Sequence, residues 1–413
     1  MRKGVSEWKK TFGDTLFPVS LVEGNQVKKR SRATVIITGL MLLMFVAAVV
    51  FLNQREEGKE ERAARKRKFA VAKVTDILAD NGEPDAWTEG RRIGQQTLEI
   101  TIISGPEKGT ILEAENYMNA YYNVDAKVGT RIIVRLDYND NGELYVVSIP
   151  NYDRSRVLIG AVVVFAVFMV LVGGKKGARA LLGLVFTVVS LWYLLIPMVL
   201  GGVSPILATI LITTVASAGA LLLLTGFTKK TFCALLGCIG GVIAAGIFAG
   251  IVTTITPING FNMSEAEEMV IRASESSLKI SGLLISGILL SAMGALMDTS
   301  MSIVSALQEV YEQNPAISSK QIFKSGMNIG RDAMGTMANT LILAFVGSAF
   351  NLLILFRVYD YPMIQILNSD MIVIEVLQGI AGSIGIIMTT PLVSWLCAVI
   401  FPAHPQGKCL KKR

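Results

Sequence analysis

Asp298, Ser302, Ser305 and Glu309 recur at i, i+4, i+7 and i+11, and Asn328, Asp332, Thr336 and Asn339 recur at i, i+4, i+8 and i+11. Both sets sit in or against apolar runs, SAMGALMDTSMSIVSAL and IGRDAMGTMANTLILAF, and the second run adds Arg331 and Thr340. On a helix each spacing draws one polar stripe. An ionised group in hydrocarbon costs from about 2.5 kcal/mol upward, so such residues turn to a protein partner or to water and mark ion or solute paths. Three chemistries fit the pattern. A water-lined path would use the carboxylates, amides and hydroxyls to replace a solute's hydration. A clamp would use Arg331 to neutralise Asp298 or Asp332 and hold two helices together. An aspartyl pair sharing one proton would serve an intramembrane protease. The last is the weakest, because Arg331 beside Asp332 favours the ionised carboxylate and opposes proton sharing. Glu375 and Gln378 in MIVIEVLQG, followed by Gly382, Gly385 and Thr389, continue near-helical spacing on a later run.

These stripes need helices to carry them. The chain has 413 residues, 52% hydrophobic and 17% charged, with a mean hydropathy of +0.53. A soluble α/β enzyme of this length could not expose so much apolar surface, and its buried strands would be shorter than these runs. Apolar runs of membrane-spanning length fall near 33–52, 157–172, 178–200, 204–226, 232–255, 281–306, 327–356 and 372–401. The reading is an all-α membrane bundle of about eight helices. The runs bearing Asp298 and Asp332 are consecutive, so they form an antiparallel hairpin. With its turn near Asn314, the two carboxylates sit at similar depth. The run GCIGGVIAAGIFAG pairs Gly237 with Gly241 and Gly246 with Gly250, a spacing that lets helices approach closely in lipid. Those glycines either pack one bundle or join two subunits.

Residues 53–156 read differently. A charged linker, REEGKEERAARKRK, precedes five β-like runs: FAVAKVTDIL, QQTLEITIIS, KGTILEA, VGTRIIVRL and ELYVVSI. They alternate or are β-branched, and YNDNG between the last two is a hairpin signal. The expectation is an inserted small all-β domain, an OB-like barrel or a sandwich. Its strands carry few aromatics, which argues against nucleic acid. The segments are then a basic tail 1–32, a first span 33–52, the β module 53–156, seven spans in 157–401 and a basic tail 402–413. Lys and Arg in the leader, GGKKGAR, TKKT, the stretch with Lys320 and Lys324, and KCLKKR put both termini in the cytoplasm. The β module and the loop 256–280, with Glu265, Glu267, Glu268 and Glu275, then lie outside. His404 is the single histidine and the four cysteines have no zinc spacing, so neither a metal site, a cofactor nor a Ser-His-Asp triad is expected.

The segments GALMDTSMSIVSALQEV and SGMNIGRDAMGTMANTLILAFVGSAF resemble the signature segments of the YibE/F family of bacterial membrane proteins. The family pattern, close to G-A-x-M-D-x-x-M-S-I and then G-R-D-x-M-G-T-M-x-N-T-L-I-L-A, falls on Gly294, Asp298, Ser302, Gly330, Arg331, Asp332, Gly335, Thr336, Asn339 and Thr340. Phe345 stands where the family commonly has Tyr. The likeness runs over most of residues 68–400. It implies a multi-pass protein of the bacterial cell membrane with an extracytoplasmic module, as in longer, YibE-like members, and it names no substrate.

The leading functional expectation is a transporter or channel-like permease for an ion or small solute. Its path would use Asp298, Ser302, Ser305, Asn328, Arg331, Asp332, Thr336, Asn339, Thr340, Glu375 and Gln378 in a seam between the sixth and seventh spans. Broken backbone is expected near Gly326, Gly330 and Gly335. The alternative is a non-transporting scaffold or subunit whose β module binds a partner; the intramembrane protease is a remote third, so the chain is not read as an enzyme. Besides the lipid bilayer, a homo-oligomer or a hetero-oligomer with a shorter family member is compatible with the sequence, and no nucleic acid is expected.

Overall fold

The computed structural model describes residues 44–53 and 67–402, less 106, 120, 121, 140 and 274–277. The basic leader, most of the expected first span, the charged linker up to residue 66 and the tail from 403 lie outside the described residues. Two compact units divide the chain, 1–48 and 49–413. An apolar helix α1, Met44–Asn53, is the described part of the first span.

The β module has strands β1 (Arg67–Asp80), β2 (Glu83–Pro84), β3 (Arg92–Ile102), β4 (Ile111–Met118), β5 (Arg131–Tyr138) and β6 (Leu144–Tyr152). They form one antiparallel sheet in the order β2-β3-β1-β5-β6, with β4 on β3, so a two-sheet sandwich does not form. Alternation drives this. Ala70, Ala72 and Val74, then Leu98, Ile100 and Ile102, then Ile132, Val134 and Leu136 take the inward positions and are buried. Each large aliphatic among them contributes roughly 1.5–3 kcal/mol on burial. Two register shifts in β1, at Val74/Asp76 and Ile77/Ala79, bend the strand. The sheet curls into a half-barrel that brings its edges β4 and β6 together without a ladder. The expected hairpin turn joins β5 to β6, with the Asn139 carboxamide accepting from the amides of Asn141 and Glu143.

The helices follow: α2 (Ser155–Ser190), α3 (Ile196–Leu200), α4 (Pro205–Thr225), α5 (Lys229–Ile255), α6 (Ala266–Ala273), α7 (Leu283–Gln313), α8 (Ser319–Ser348), α9 (Phe350–Val358), α10 (Met363–Leu367) and α11 (Asp370–Ile400). Among the described residues five stretches are long and apolar enough to cross a membrane, and the bent pair α8–α9 makes a sixth if it is one span. One stretch, Ser155–Leu200, counts 46 residues, about 69 Å if straight and over twice a hydrocarbon core. It is not straight. Gly174 leaves the helix at φ 54°, ψ −137°, and Gly177 packs on the backbone oxygen of Met169 eight residues earlier. In an unbroken helix those residues would lie about 12 Å apart. The chain therefore turns back at GGKK, as the separate runs 157–172 and 178–200 anticipate.

Small residues set how closely the helices approach. Gly237 leaves no room for a Cβ against Val393, and a Cβ at Gly241 would fall 3.1 Å from the Gly385 carbonyl oxygen of α11. Gly246 faces Leu289 of α7, so Gly237, Gly241 and Gly246 of α5 serve packing within this chain, whereas a Cβ at Gly250 would meet nothing within 4 Å. Ser318 caps α8 by accepting from the Gln321 amide, and the Gln321 side chain accepts from the Ser318 amide in return.

Candidate functional site

Helix α8 has two faces of opposite character. One carries Ile322, Gly326 and Gly330, all buried. A Cβ at Gly326 would lie 2.5 Å from Ser394 Oγ, and one at Gly330 would overlap the Thr390 methyl and lie 3.1 Å from its Oγ1. Two glycines four residues apart thus meet two hydroxyls four residues apart on α11. The hydroxyls are satisfied within their own helix, Ser394 Oγ donating to the Thr390 carbonyl at 2.7 Å and Thr390 Oγ1 to Ile386 at 3.4 Å. The same face continues with Met334, Met337 and Leu341 packed on the core between α5, α7 and α11. It ends with Ile342 and Phe345 against Gly379.

The other face is open. Asn328, Arg331, Asp332, Gly335, Thr336, Asn339 and Thr340 are all exposed. Thr336 Oγ1 donates to the Asp332 carbonyl and Thr340 Oγ1 to the Thr336 carbonyl, each at 2.9 Å, which satisfies the hydroxyls locally. On α7, Asp298, Ser302 and Glu309 are exposed and Ser305 is half-buried, donating to the Met301 carbonyl at 2.6 Å. A Cβ at Gly294 or Gly335 would meet nothing within 4 Å.

The expected closed seam between the two stripes does not form within one chain. Helices α7 and α8 touch instead through Thr299 Oγ1, which donates to Met337 Sδ at 2.8 Å, and through a shared core that holds Ile303, Val304 and Leu307 of α7 and Ile322 of α8. The reason lies in the glycines: α8 approaches α11 most closely where it has no side chains, and this rotates its polar face outward. Nor does Arg331 pair with Asp298 or Asp332; among the described residues no ion pair or hydrogen bond to its guanidinium forms. Neighbours in sequence do not face each other on a helix, so Asp332 cannot supply the partner.

Depth follows from helix geometry. Gln308 lies five residues before the end of α7 and Lys324 five after the start of α8, so they are level in the hairpin. From that level Arg331 is seven residues further in, Asp332 eight and Asp298 ten, about 10, 12 and 15 Å at 1.5 Å per residue. Half a hydrocarbon core is about 15 Å. Glu375 and Gln378 belong elsewhere. Ser348 Oγ donates to Glu375 Oε2 at 3.0 Å, and Ser348 is 16 residues beyond Asp332 along α8, about 24 Å. Gln378 is half-buried near Gly287. The backbone of α8 runs unbroken through Gly326, Gly330 and Gly335; the break falls at Ala349, where the axis bends by 52° into α9.

Two features escaped the sequence. The glycine–hydroxyl contact of α8 with α11 was legible only as matched four-residue spacing, Gly326/Gly330 and Thr390/Ser394. The second is a polar network in the β module. Arg92 donates to Asp80 at 2.7 Å, to Asp125 at 2.8 Å and to the Gly82 carbonyl at 2.8 Å. Buried Gln96 and Asn116 extend it, Asn116 donating to Gln96 at 2.9 Å and Gln96 to Asp80 at 3.1 Å. The Arg92 bond, then the Gly82 amide, hold the Asp80 carboxyl down at about 2. Gln96 at an inward position of β3 was its one sequence signal. Cys233, Cys238 and Cys397 are buried free thiols. Among the described residues no group of three or more His, Cys, Asp or Glu could hold a metal ion.

A family model described as YibE/F-like protein matches residues 161–403, more than half of the chain and every helix from α4 to α11. No curated protein and no solved structure matches the chain.

Proposed function

This chain belongs to the YibE/F-like family, and on that premise we propose that it is a permease or channel-like transporter of the bacterial cell membrane for an ion or small hydrophilic solute. One observation carries the reading: the charged side chains of Asp298, Arg331 and Asp332 stand open about 10–15 Å beyond the level of Gln308 and Lys324, with no partner among the described residues. Lipid is a poor neighbour for them, and water-lined protein surface is a good one. In this account Asp298 and Asp332 attract a cation or exchange a proton, Arg331 balances their charge, and Ser302, Asn328, Thr336, Asn339 and Thr340 replace hydration. Eight spans, counting the first, put both termini in the cytoplasm and the β module outside. The order of its long strands, a β1-β3-β4 meander with β5 beside β1 and β6 between β5 and β4, favours an OB-like reading.

A scaffold role has its own support. Trp87, between β2 and β3, is 94% exposed, and exposed aromatics are good anchors for partner proteins. Uptake by vesicles separates the two. A screen of ions and small solutes should find one whose uptake the protein supports and Asp298→Asn removes. If no solute distinguishes protein-containing from empty vesicles, the scaffold reading replaces transport.

A further inference from the structure

The open face of α8 has a property that the exposed apolar faces lack. Lipid can cover Val162, Val163 and Phe168 of α2, which are exposed and apolar. It cannot cover Arg331 and Asp332 some 10 Å inside the membrane without leaving two charges unmet. None of the described residues meets them. The face is also self-complementary, holding one cation and one anion at nearly equal depth. A two-fold axis normal to the membrane preserves depth and presents the same patch from both sides. Arg331 of one copy then faces Asp332 of the other, twice over. Gly335 sits beside both charges with nothing within 4 Å of where its Cβ would be, while Gly326 and Gly330, on the far face, are filled by α11. A bare glycine on an otherwise polar face allows close backbone approach between helices in lipid.

We infer that two copies of this chain close their α8 polar faces on each other about an axis normal to the membrane, pairing Arg331 with Asp332 of the second copy. The solute path proposed above is incomplete without that copy, which supplies its second wall. This deepens the proposed function and rests on its membrane orientation, but assembly can be read without any transport assay.

Disulfide cross-linking in native membranes tests it, using the full-length chain with its native cysteines replaced. Under mild oxidation Thr336→Cys or Asn339→Cys should give a species of twice the mass, and Val163→Cys on α2 should not. Arg331→Asp should lower the cross-linked fraction by at least about tenfold, as expected when an ion pair in apolar surroundings loses one partner. Arg331→Asp with Asp332→Arg restores complementarity and should restore the cross-link. Size-exclusion profiles in detergent establish that each variant is folded. The inference is overturned if neither α8 cysteine cross-links in folded protein, if Val163→Cys cross-links equally, or if both α8 cysteines cross-link only when another protein is co-expressed. Should Arg331→Asp fail to fold, the double variant decides: cross-linking by it supports the pairing, and a folded double variant that does not cross-link overturns it. Cross-linking without any detectable solute uptake would sink the transport reading and leave the assembly standing.

Discussion

Arg92 in the β module reaches two carboxylates, Asp80 at 2.7 Å and Asp125 at 2.8 Å, while Arg331 on α8 reaches none among the described residues. The contrast extends to neighbours. Arg131 pairs with Asp153 at 3.2 Å, and Arg135 and Arg67 both reach Asp137. In the helices Asp298, Asp332 and Arg331 stay open. Solvent would predict the reverse. A half-exposed ion pair in water gains little, whereas an unpaired charge in hydrocarbon is costly. The β module pairs Arg67, Arg92, Arg131 and Arg135 internally although it has least to gain. The helical domain leaves Asp298, Arg331 and Asp332 open among the described residues, where a membrane position would make that costly. On the proposed function, charges kept open at such a cost have partners outside the chain, in water, in a solute or in a second copy.

The two regions, and the two faces of α8, should respond differently to substitution. The largest effect is expected at Gly330→Leu, which drives a side chain into Thr390 of α11. Overpacking of this kind costs about 1–3 kcal/mol or more. Little monodisperse protein should survive extraction, while Gly335→Leu on the open face should extract in normal yield as folded protein, with only its pairing to a second copy weakened. Equal yields from both would erase the distinction between the faces. Next, Asp298→Asn should leave yield and folding intact and remove uptake of any transported solute; an unchanged rate would take Asp298 out of the path.

A smaller effect is expected at Arg92→Ala. The Asp80 carboxyl titrates at about 2 instead of its ordinary 3.8, so its contribution is fully present above the ordinary value and fades as pH falls toward 2. With both side chains about a third exposed, solvent screening keeps that contribution small. Pulse proteolysis of the full chain, read on fragments of the β module, should show this loss at pH 7 and a shrinking gap as pH falls from 4 to 2. A gap that widens on acidification would mean that another group governs it. The smallest effect belongs to Arg357→Ala. Its pair with Asp360 is 88% and 85% exposed, and thermal unfolding should shift by less than the equivalent of about 0.5 kcal/mol.

Much of the architecture was legible because its signals are long. Twenty-residue apolar runs and period-two strands announce themselves, and GGKK marks a reversal through Gly174 and its neighbours. The polar stripes of α7 and α8 were legible as periodicity. Which way they face was not. That depended on Gly326 and Gly330 finding Thr390 and Ser394 some sixty residues later, a contact that spacing on one helix cannot disclose. An interior charge reads naturally as paired within its hairpin, yet the glycine contact with α11 turns Arg331 and Asp332 outward. The Arg92 network was hidden for a related reason: it joins β1, β3 and the segment before β5, which only the register of the sheet brings together.

Water at the polar face of α7 is the central claim, and reactivity of a thiol placed at Ser302 tests it most directly. Only the thiolate reacts, and it forms where water reaches. In membranes from a cysteine-free background, Ser302→Cys should react with a small charged methanethiosulfonate at least about tenfold faster than Val163→Cys, the ionised thiol being available only at a hydrated position. Equal inertness at both positions in folded protein would contradict the account, because Ser302 and Asp298 would then face a dry environment and no hydrophilic path would run along the helix.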